Sequence, residues 1–396
     1  MSRRLIARSV DLGRLVKDGY AVEITSHLLV HNVPYVTANR EIKYATLAAA
    51  LDVAGDRTAP PGTHVAMWTG EYPCNRDGAP IEALRHGESA EKVGPDLQAR
   101  FSFSNKPASG YPDFYEKMTS YIRLISHPAR SLDPSVTAQP YVAAIEQEEG
   151  VFRYLDTTSS RAGIVKVTDK LRGLKIGIIG LGGTGSYVLD LVAKSPVAEI
   201  HLFDDDVLLN HNAFRAPGAP SLEELTATPT KVAHFAKVYS HMHMHVIAHP
   251  TRVEADSLSM LDGLDFVFVC IDSGAARALI AKHLEQRGKA FVDVGLGVEL
   301  VEETAQMIGT LRVTTSTPTL RDHVHNRGRM PFADSPEGDV YSKNIQIAEL
   351  NSLNAVMAVI KWKKLYGMYQ DLEDEHFCTY VTNTNTMSSE EQATPQ

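Results

Sequence analysis

The sequence predicts a doubly wound, mostly parallel α/β sheet over residues 151–382, preceded by a smaller β-rich α+β domain over 1–150. Three observations carry that prediction. From residue 174 onward, short apolar runs alternate with helix-spaced segments, the pattern of strand–helix–strand units. A glycine-rich turn joins the first of those strands to the first of those helices. The earlier residues show short alternating runs broken by prolines, as half-buried antiparallel strands do. A chain of 396 residues also exceeds one ordinary domain.

In chain order, 21–25 and 27–33 are expected strands, and 60–62 and 73–78 are turns marked by Pro and Gly. A helix is expected at 113–127, where Phe114, Met118, Tyr121 and Leu124 recur at three- and four-residue spacing. The boundary falls within 131–157. Beyond it, 175–180 is an almost continuous apolar run that suits a strand buried on both faces. A helix at 186–194, a strand at 199–204, a helix at 231–239 and a strand at 241–247 follow. A strand at 265–270, a helix at 275–286 and a strand at 290–294 complete the alternation. The stretch 314–338 reads as a long loop, and 343–366 as one packed helix with few charges before Lys361. The polar tail 383–396 is expected to be disordered.

Composition narrows the function. A formal charge of −9 gives no general attraction to nucleic acid or to an anionic membrane surface. No apolar run is long enough to cross a membrane, and the basic start lacks a signal core. The three cysteines, Cys74, Cys270 and Cys378, form no disulfide or metal pattern, so a reducing cytoplasm is the expected compartment.

Gly180-Leu-Gly182-Gly183-Thr-Gly185 follows a strand and opens a helix, the setting of a Rossmann-like phosphate loop. Gly180 permits the turn, Gly182 lets the backbone approach a phosphate, and Gly185 lets the helix close on its strand. Gly183 belongs to the same loop, and the N-terminus of the helix that follows presents free N–H groups to an anion. Asp204, at the end of the next strand, is placed to accept from ribose hydroxyls, and Asp205 and Asp206 disfavour a 2′-phosphate. An NAD enzyme and an ATP enzyme fit equally well to this point.

The residues that follow separate them. Asp204, Asp206, Asn212 and Arg215 stand at the offsets of a D-x-D…N-x-x-R block; Lys231 opens the next helix, and Cys270-Ile-Asp272 to Arg277 follows a later strand. With Arg161 upstream, this series resembles the ThiF-type, ubiquitin-activating-enzyme-like adenylyltransferase superfamily. The resemblance implies ATP and Mg²⁺ as ligands. Arg215 and Lys231 would cradle phosphates, Asp272 would hold Mg²⁺, Asn212 would orient a phosphate or ribose, and Arg161 would reach across a homodimer. Such chemistry joins two anions, so positioning and charge neutralisation dominate it.

Departures matter as well. The paired C-x-x-C elements of the sulfur-carrier branch are missing, so zinc is not expected, and His241, His243 and His245 read as structural. The 314–338 loop carries no cysteine, which leaves Cys378, beside His376, as the candidate nucleophile for a thioester step. The block around Tyr341, Gln346 and Asn351 resembles a bacterial subgroup found with ubiquitin-like and conjugating partners; packing explains its polar residues as well as catalysis does. That resemblance implies a ubiquitin-like protein substrate, a conjugating-enzyme-like partner and a setting in antiphage defence. Activation of a sulfur-carrier or peptide C-terminus, a non-catalytic adaptor and an NAD-binding oxidoreductase are the alternative readings.

Overall fold

The computed structural model describes residues 2–94, 96–141, 150–154, 156, 164–333 and 345–389. These fall into two compact units that divide between Lys166 and Val167, later than the sequence boundary. No helix among the described residues is long and apolar enough to cross a membrane.

The first unit is built on a six-stranded antiparallel sheet. Its strands are β1 (Ala21–Ile24), β2 (His27–Val36), β3 (Ile42–Ala50), β4 (Val65–Trp68), β5 (Arg85–Glu88) and β6 (Phe101–Ser104), in the order β1-β2-β3-β4-β6-β5. Register shifts between Val30 and Val33, and Asn32 there takes a φ of 59°, so β2 is bulged. Two helices that the sequence reading lacked, α1 (Ser2–Arg8) and α2 (Val10–Lys17), precede the sheet. The helix expected at 113–127 is α3, Phe114–Leu132, which carries Pro128 in its closing turns. Asp113 caps it by accepting from Glu116 N at 2.8 Å. Its apolar stripe, with Phe114, Met118, Tyr121 and Ile125, buries against Trp68 and Phe103. Buried Asp11 of α2 accepts from Thr58 Oγ1 at 2.6 Å and from Phe114 N at 3.1 Å, tying α2 to the start of α3.

Lys117 is fully buried in this core. Its Nζ donates to the Thr63 carbonyl at 2.9 Å, and burial pushes its pKa down to about 8.

The second unit holds an eight-stranded sheet. Five strands are parallel: β7 (Lys175–Ile179), β8 (Glu199–Phe203), β9 (Val246–His249), β10 (Phe266–Val269) and the first part of β11 (Ala290–Val301). β12 (Gln306–Ser316), β13 (Phe377–Val381) and β14 (Thr386–Ser389) add antiparallel strands on one side. The order is β9-β8-β7-β10-β11-β12-β13-β14, so the winding reverses between β7 and β10 and leaves a crevice at their carboxyl ends. Helices α4 (Gly183–Val192), α5 (Lys231–Tyr239) and α7 (Ala348–Leu365) contribute Leu189, Phe235 and Trp362 to one core with Ile176 and Ile178. Helix α6 (Gly274–Gln286) packs Ile280 and Leu284 on the other face with Ile179 and Val267.

Several expectations are corrected. The strand placed at 241–247 begins at Val246, and residues 241–245 instead form the turn that leads from α5 into it. His243 is buried there, with Nε2 2.9 Å from the Val197 carbonyl and Nδ1 accepting from His245 N, so the three histidines do not share a strand face. β11 runs past residue 294 because β12 pairs with it along its whole length. The 314–338 loop starts inside β12 and contains a short helix, Asp322–Asn326; residues 334–344 lie outside the described set. The packed helix begins at Ala348 rather than 343. Part of the tail is a strand, β14, which the exposed edge of β13 templates although none of its side chains is buried.

The buried Lys117 makes stability depend on pH. Its pKa is lower in the folded than in the unfolded chain, so the unfolded chain binds more protons between about pH 8 and 10.5. The residue therefore costs about 3 kcal/mol at pH 7, and the cost fades as pH rises through that window. Urea unfolding at pH 7 and pH 10 should show Lys117→Met gaining stability over the wild type at pH 7, with the gain shrinking at pH 10.

Candidate functional site

The crevice at the ends of β7 and β10 is a cleft of about 510 Å³, within the range of nucleotide-sized sites. Its wall is the glycine loop. Gly180 has a φ of 87°, and a Cβ on it would stand 2.6 Å from the Cys270 carbonyl oxygen. A Cβ on Gly185 would fall 1.9 Å from the Gly180 carbonyl oxygen, so that glycine exists for helix–strand closeness. Gly182 is different: the nearest atom to a Cβ there is Gln346 Oε1 at 4.0 Å, which leaves open room on the cleft side. Gly183 is small for a reason the motif does not state. A Cβ on it would lie 2.1 Å from Asn351 Nδ2 of α7.

Asp204 holds the loop in place. One of its oxygens accepts from Leu181 N at 2.6 Å and the other from Asp206 N at 2.9 Å. Lys231, the first residue of α5, is buried with its Nζ 2.6 Å from Asp206 and 3.5 Å from Asp204. Its hydrogen bond to Asp206 holds that carboxyl below the usual range. Arg215 lines the cleft half-buried, its Nε without a partner among the described residues. Burial pulls its pKa down while Asp272 and Asp206 oppose that.

The remaining candidates divide. Asp272 is exposed at the cleft, and Ser273 rather than Asp272 caps α6 by accepting from Ala276 N at 3.3 Å. Arg277 is structural: its Nε sits 2.9 Å from buried Asp293, and it donates to the Asp272 carbonyl at 3.3 Å. Arg312 grips the second Asp293 oxygen at 2.6 Å. Asn212 is buried outside the cleft lining, and its Oδ1 accepts from Leu209 N at 2.8 Å, so it caps its own short helix. Arg161 lies outside the described residues.

Cys378 lies apart from the cleft lining. It sits in β13 beside a separate cavity of about 170 Å³ between α7 and the β12–β13 edge. Burial pushes its thiol up. The neighbouring His376 turns Nδ1 to the Asp374 carbonyl at 2.8 Å and Nε2 towards Thr317, so it does not acidify the thiol. Burial also raises the Cys270 thiol at the cleft floor.

Arg252, Val253 and Glu254, just beyond β9, line the cleft too, and no motif flagged them. Arg252 pairs with Asp205 at 3.4 Å. Among the described residues, three metal-ligating oxygens gather only at Asp204, Asp205 and Asp206. Asp272 contributes one hard oxygen donor, so a Mg²⁺ held there would take phosphate oxygens and waters as its other ligands.

The ThiF family profile matches residues 153–395, and a domain of unknown function, DUF6791, matches residues 10–157. Similar proteins include the ubiquitin-like modifier-activating enzyme 5 of Dictyostelium discoideum, 24% identical over 37% of this chain and 42% of that protein. The Gallus gallus enzyme of the same name is 26% identical over 37% of this chain and 40% of that protein. The adenylyltransferase and sulfurtransferase UBA4 of Saccharomyces cerevisiae is 25% identical over 41% of this chain and 37% of that protein. The chain thus matches about two fifths of the length of these relatives. Among solved structures, E. coli MccB with ATP is 17% identical, covers 58% of this chain and 67% of that one, and has a TM-score of 0.46. PaaA is 16% identical, covers 57% and 75%, and has a TM-score of 0.46.

The glycine geometry separates two roles. Gly182→Ala should leave the melting temperature within about 2 °C yet weaken ATP–Mg²⁺ binding, because its methyl enters only open cleft. Gly185→Ala should cost several kcal/mol of stability, roughly 3 or more, through the clash with Gly180. Thermal melts and calorimetric titration of the two variants check this.

Proposed function

The chain belongs to the ThiF family, and on that premise we propose that it uses ATP to adenylate the C-terminal carboxylate of a ubiquitin-like protein. The observation that carries the reading is the convergence of Arg215, Lys231 and Asp272 on the cleft lined by Gly182 and Gly183. An oxidoreductase needs an acid or base beside a nicotinamide, whereas the two cations that line the cleft with the glycine loop suit phosphate-directed chemistry.

In the proposed reaction a carboxylate oxygen attacks the α-phosphorus, the bond to the bridging oxygen breaks, and pyrophosphate leaves. The attacking group is already ionised, so no general base is needed. Arg215, whose Nε has no partner among the described residues, meets the negative charge that grows on the phosphoryl oxygens. Lys231 spends donors on Asp206 and Asp204 and keeps a third N–H for the nucleotide. Asp272 would hold Mg²⁺, which supplies charge neutralisation of the polyphosphate when bound. Asp204 Oδ2 accepts from Leu181 N and keeps its second lone-pair direction for a ribose hydroxyl, while Oδ1 is taken by Asp206 N and Lys231.

The raised Cys378 thiol favours an enzyme that stops at the acyl-adenylate and hands it to a conjugating-enzyme-like partner. In this reading the protein works as a homodimer, with Arg161 completing the partner's site, in the cytoplasm of a bacterium, within a ubiquitin-like conjugation pathway that serves antiphage defence. Activation of a sulfur-carrier or peptide C-terminus would use the same residues.

Exchange of labelled pyrophosphate into ATP, dependent on Mg²⁺ and a carrier ending in glycine, tests the proposal. Asp272→Ala and Arg215→Ala should each lower the exchange rate by about 100-fold or more while the fold persists. Full exchange in Asp272→Ala, or none in the wild type with its cognate carrier, would sink it.

A further inference from the structure

We propose that the carboxamide of Asn351 is a ligand-binding group of the cleft, its Nδ2 donating to an anionic oxygen at the site of acyl-phosphate formation. This rests on the adenylation reading above. Asn351 stands in the first turn of α7 and is 1% exposed. Its Oδ1 accepts from the Thr184 hydroxyl at 2.9 Å, which fixes the orientation of the amide. Its Nδ2 is buried and has no hydrogen-bond partner among the described residues. The residue lines the cleft together with Gly182, Gly183 and Gln346.

A buried N–H₂ left unmatched is unfavourable, and an apolar side chain with the same branching, such as leucine, would avoid that penalty. The chain instead keeps the donor and gives up a side chain at position 183 to make room. Of the three amide atoms, Nδ2 is the nearest to the missing Gly183 Cβ, and Gly183 begins the helix whose free N–H groups face the phosphate end. Gln346 Oε1 accepts from Gly183 N at 3.4 Å, so the lead-in to α7 presents a second carboxamide to the same loop. Three residues further on, Asn354 sits on the same helix but spends its Nδ2 on the Gly295 carbonyl at 3.0 Å. The donor of Asn351 is therefore held in reserve, in a water-poor position where a hydrogen bond to an anion is strong.

The oxygen belongs either to the α-phosphate or to the carboxylate that attacks it, and three probes distinguish them. Calorimetry would titrate ATP–Mg²⁺, adenosine and glycyl-sulfamoyl-adenosine (a mimic of the acyl-adenylate) into the full chain and into Asn351→Leu and Asn351→Asp. Contact with phosphate predicts a loss of about 10-fold or more in ATP affinity in both variants, with adenosine unchanged. Contact with the acyl oxygen predicts unchanged ATP binding and the same loss for the mimic alone. The inference is overturned if all three ligands bind within two-fold of wild type. Parallel weakening of adenosine, or a loss confined to the Asp variant, overturns it as well. If the wild type itself binds none of the probes, the adenylation reading fails instead.

Discussion

The carboxylate of Asp204 is the constraint on which the site depends. It is nearly buried, yet it accepts two backbone N–H groups from different segments, Leu181 in the glycine loop and Asp206 beyond β8. Hydrogen bonds of this kind to an ionised acceptor are short and strong, and here they fix the loop against the neighbouring strand. Lys231 closes the arrangement from α5. Three elements that pack through apolar contacts alone would be free to slide by an ångström or so. The charged hub sets their register, and with it the shape of the cleft.

A second constraint acts from the other side of the loop. Asp293 is fully buried in β11, and two guanidinium groups, from Arg277 on α6 and Arg312 on β12, compensate its charge. Arg277 also holds the carbonyls of the turn that carries Asp272. The position of the exposed Asp272 is thus inherited from a buried ion cluster on a different strand. Removing one partner of such a cluster leaves an uncompensated charge, so these groups maintain geometry rather than add stability.

What the sequence disclosed follows from the range of the interactions. Gly180 and Gly185 were legible because a strand–turn–helix requires a positive φ and a bare Cα within a few residues. The alternation of apolar runs located the parallel strands for the same local reason. The spacing of Asn212 could not disclose its cap, because an amide at the third position of a short helix has the same offset whether or not it caps the helix. The histidines at 241, 243 and 245 mimicked a strand because a period of two over three residues does not distinguish a strand from the turn that leads into one. Asp293 carried no motif at all. The contact between Thr184 and Asn351 spans 167 positions, and neither residue's neighbourhood announces the other. The tail strand β14 owes its existence to an open sheet edge, which no property of its own residues encodes.

The charge balance of the cleft bears on which ligand it admits. Arg252 is matched by Asp205, Lys231 by Asp206 and Asp204, and Arg277 by Asp293. Glu254 and Asp272 add further negative charge to the lining. A bare triphosphate entering such a surface would meet carboxylates as often as cations. The same triphosphate carrying a divalent ion brings its own neutralising charge and turns those carboxylates into attractions. Arg215, alone among the lining guanidinium groups in having a buried nitrogen with no partner among the described residues, then becomes the cation with least to give up on binding. In the adenylation reading, a cleft whose lining cations are mostly already matched would favour a metal–nucleotide complex over the bare nucleotide.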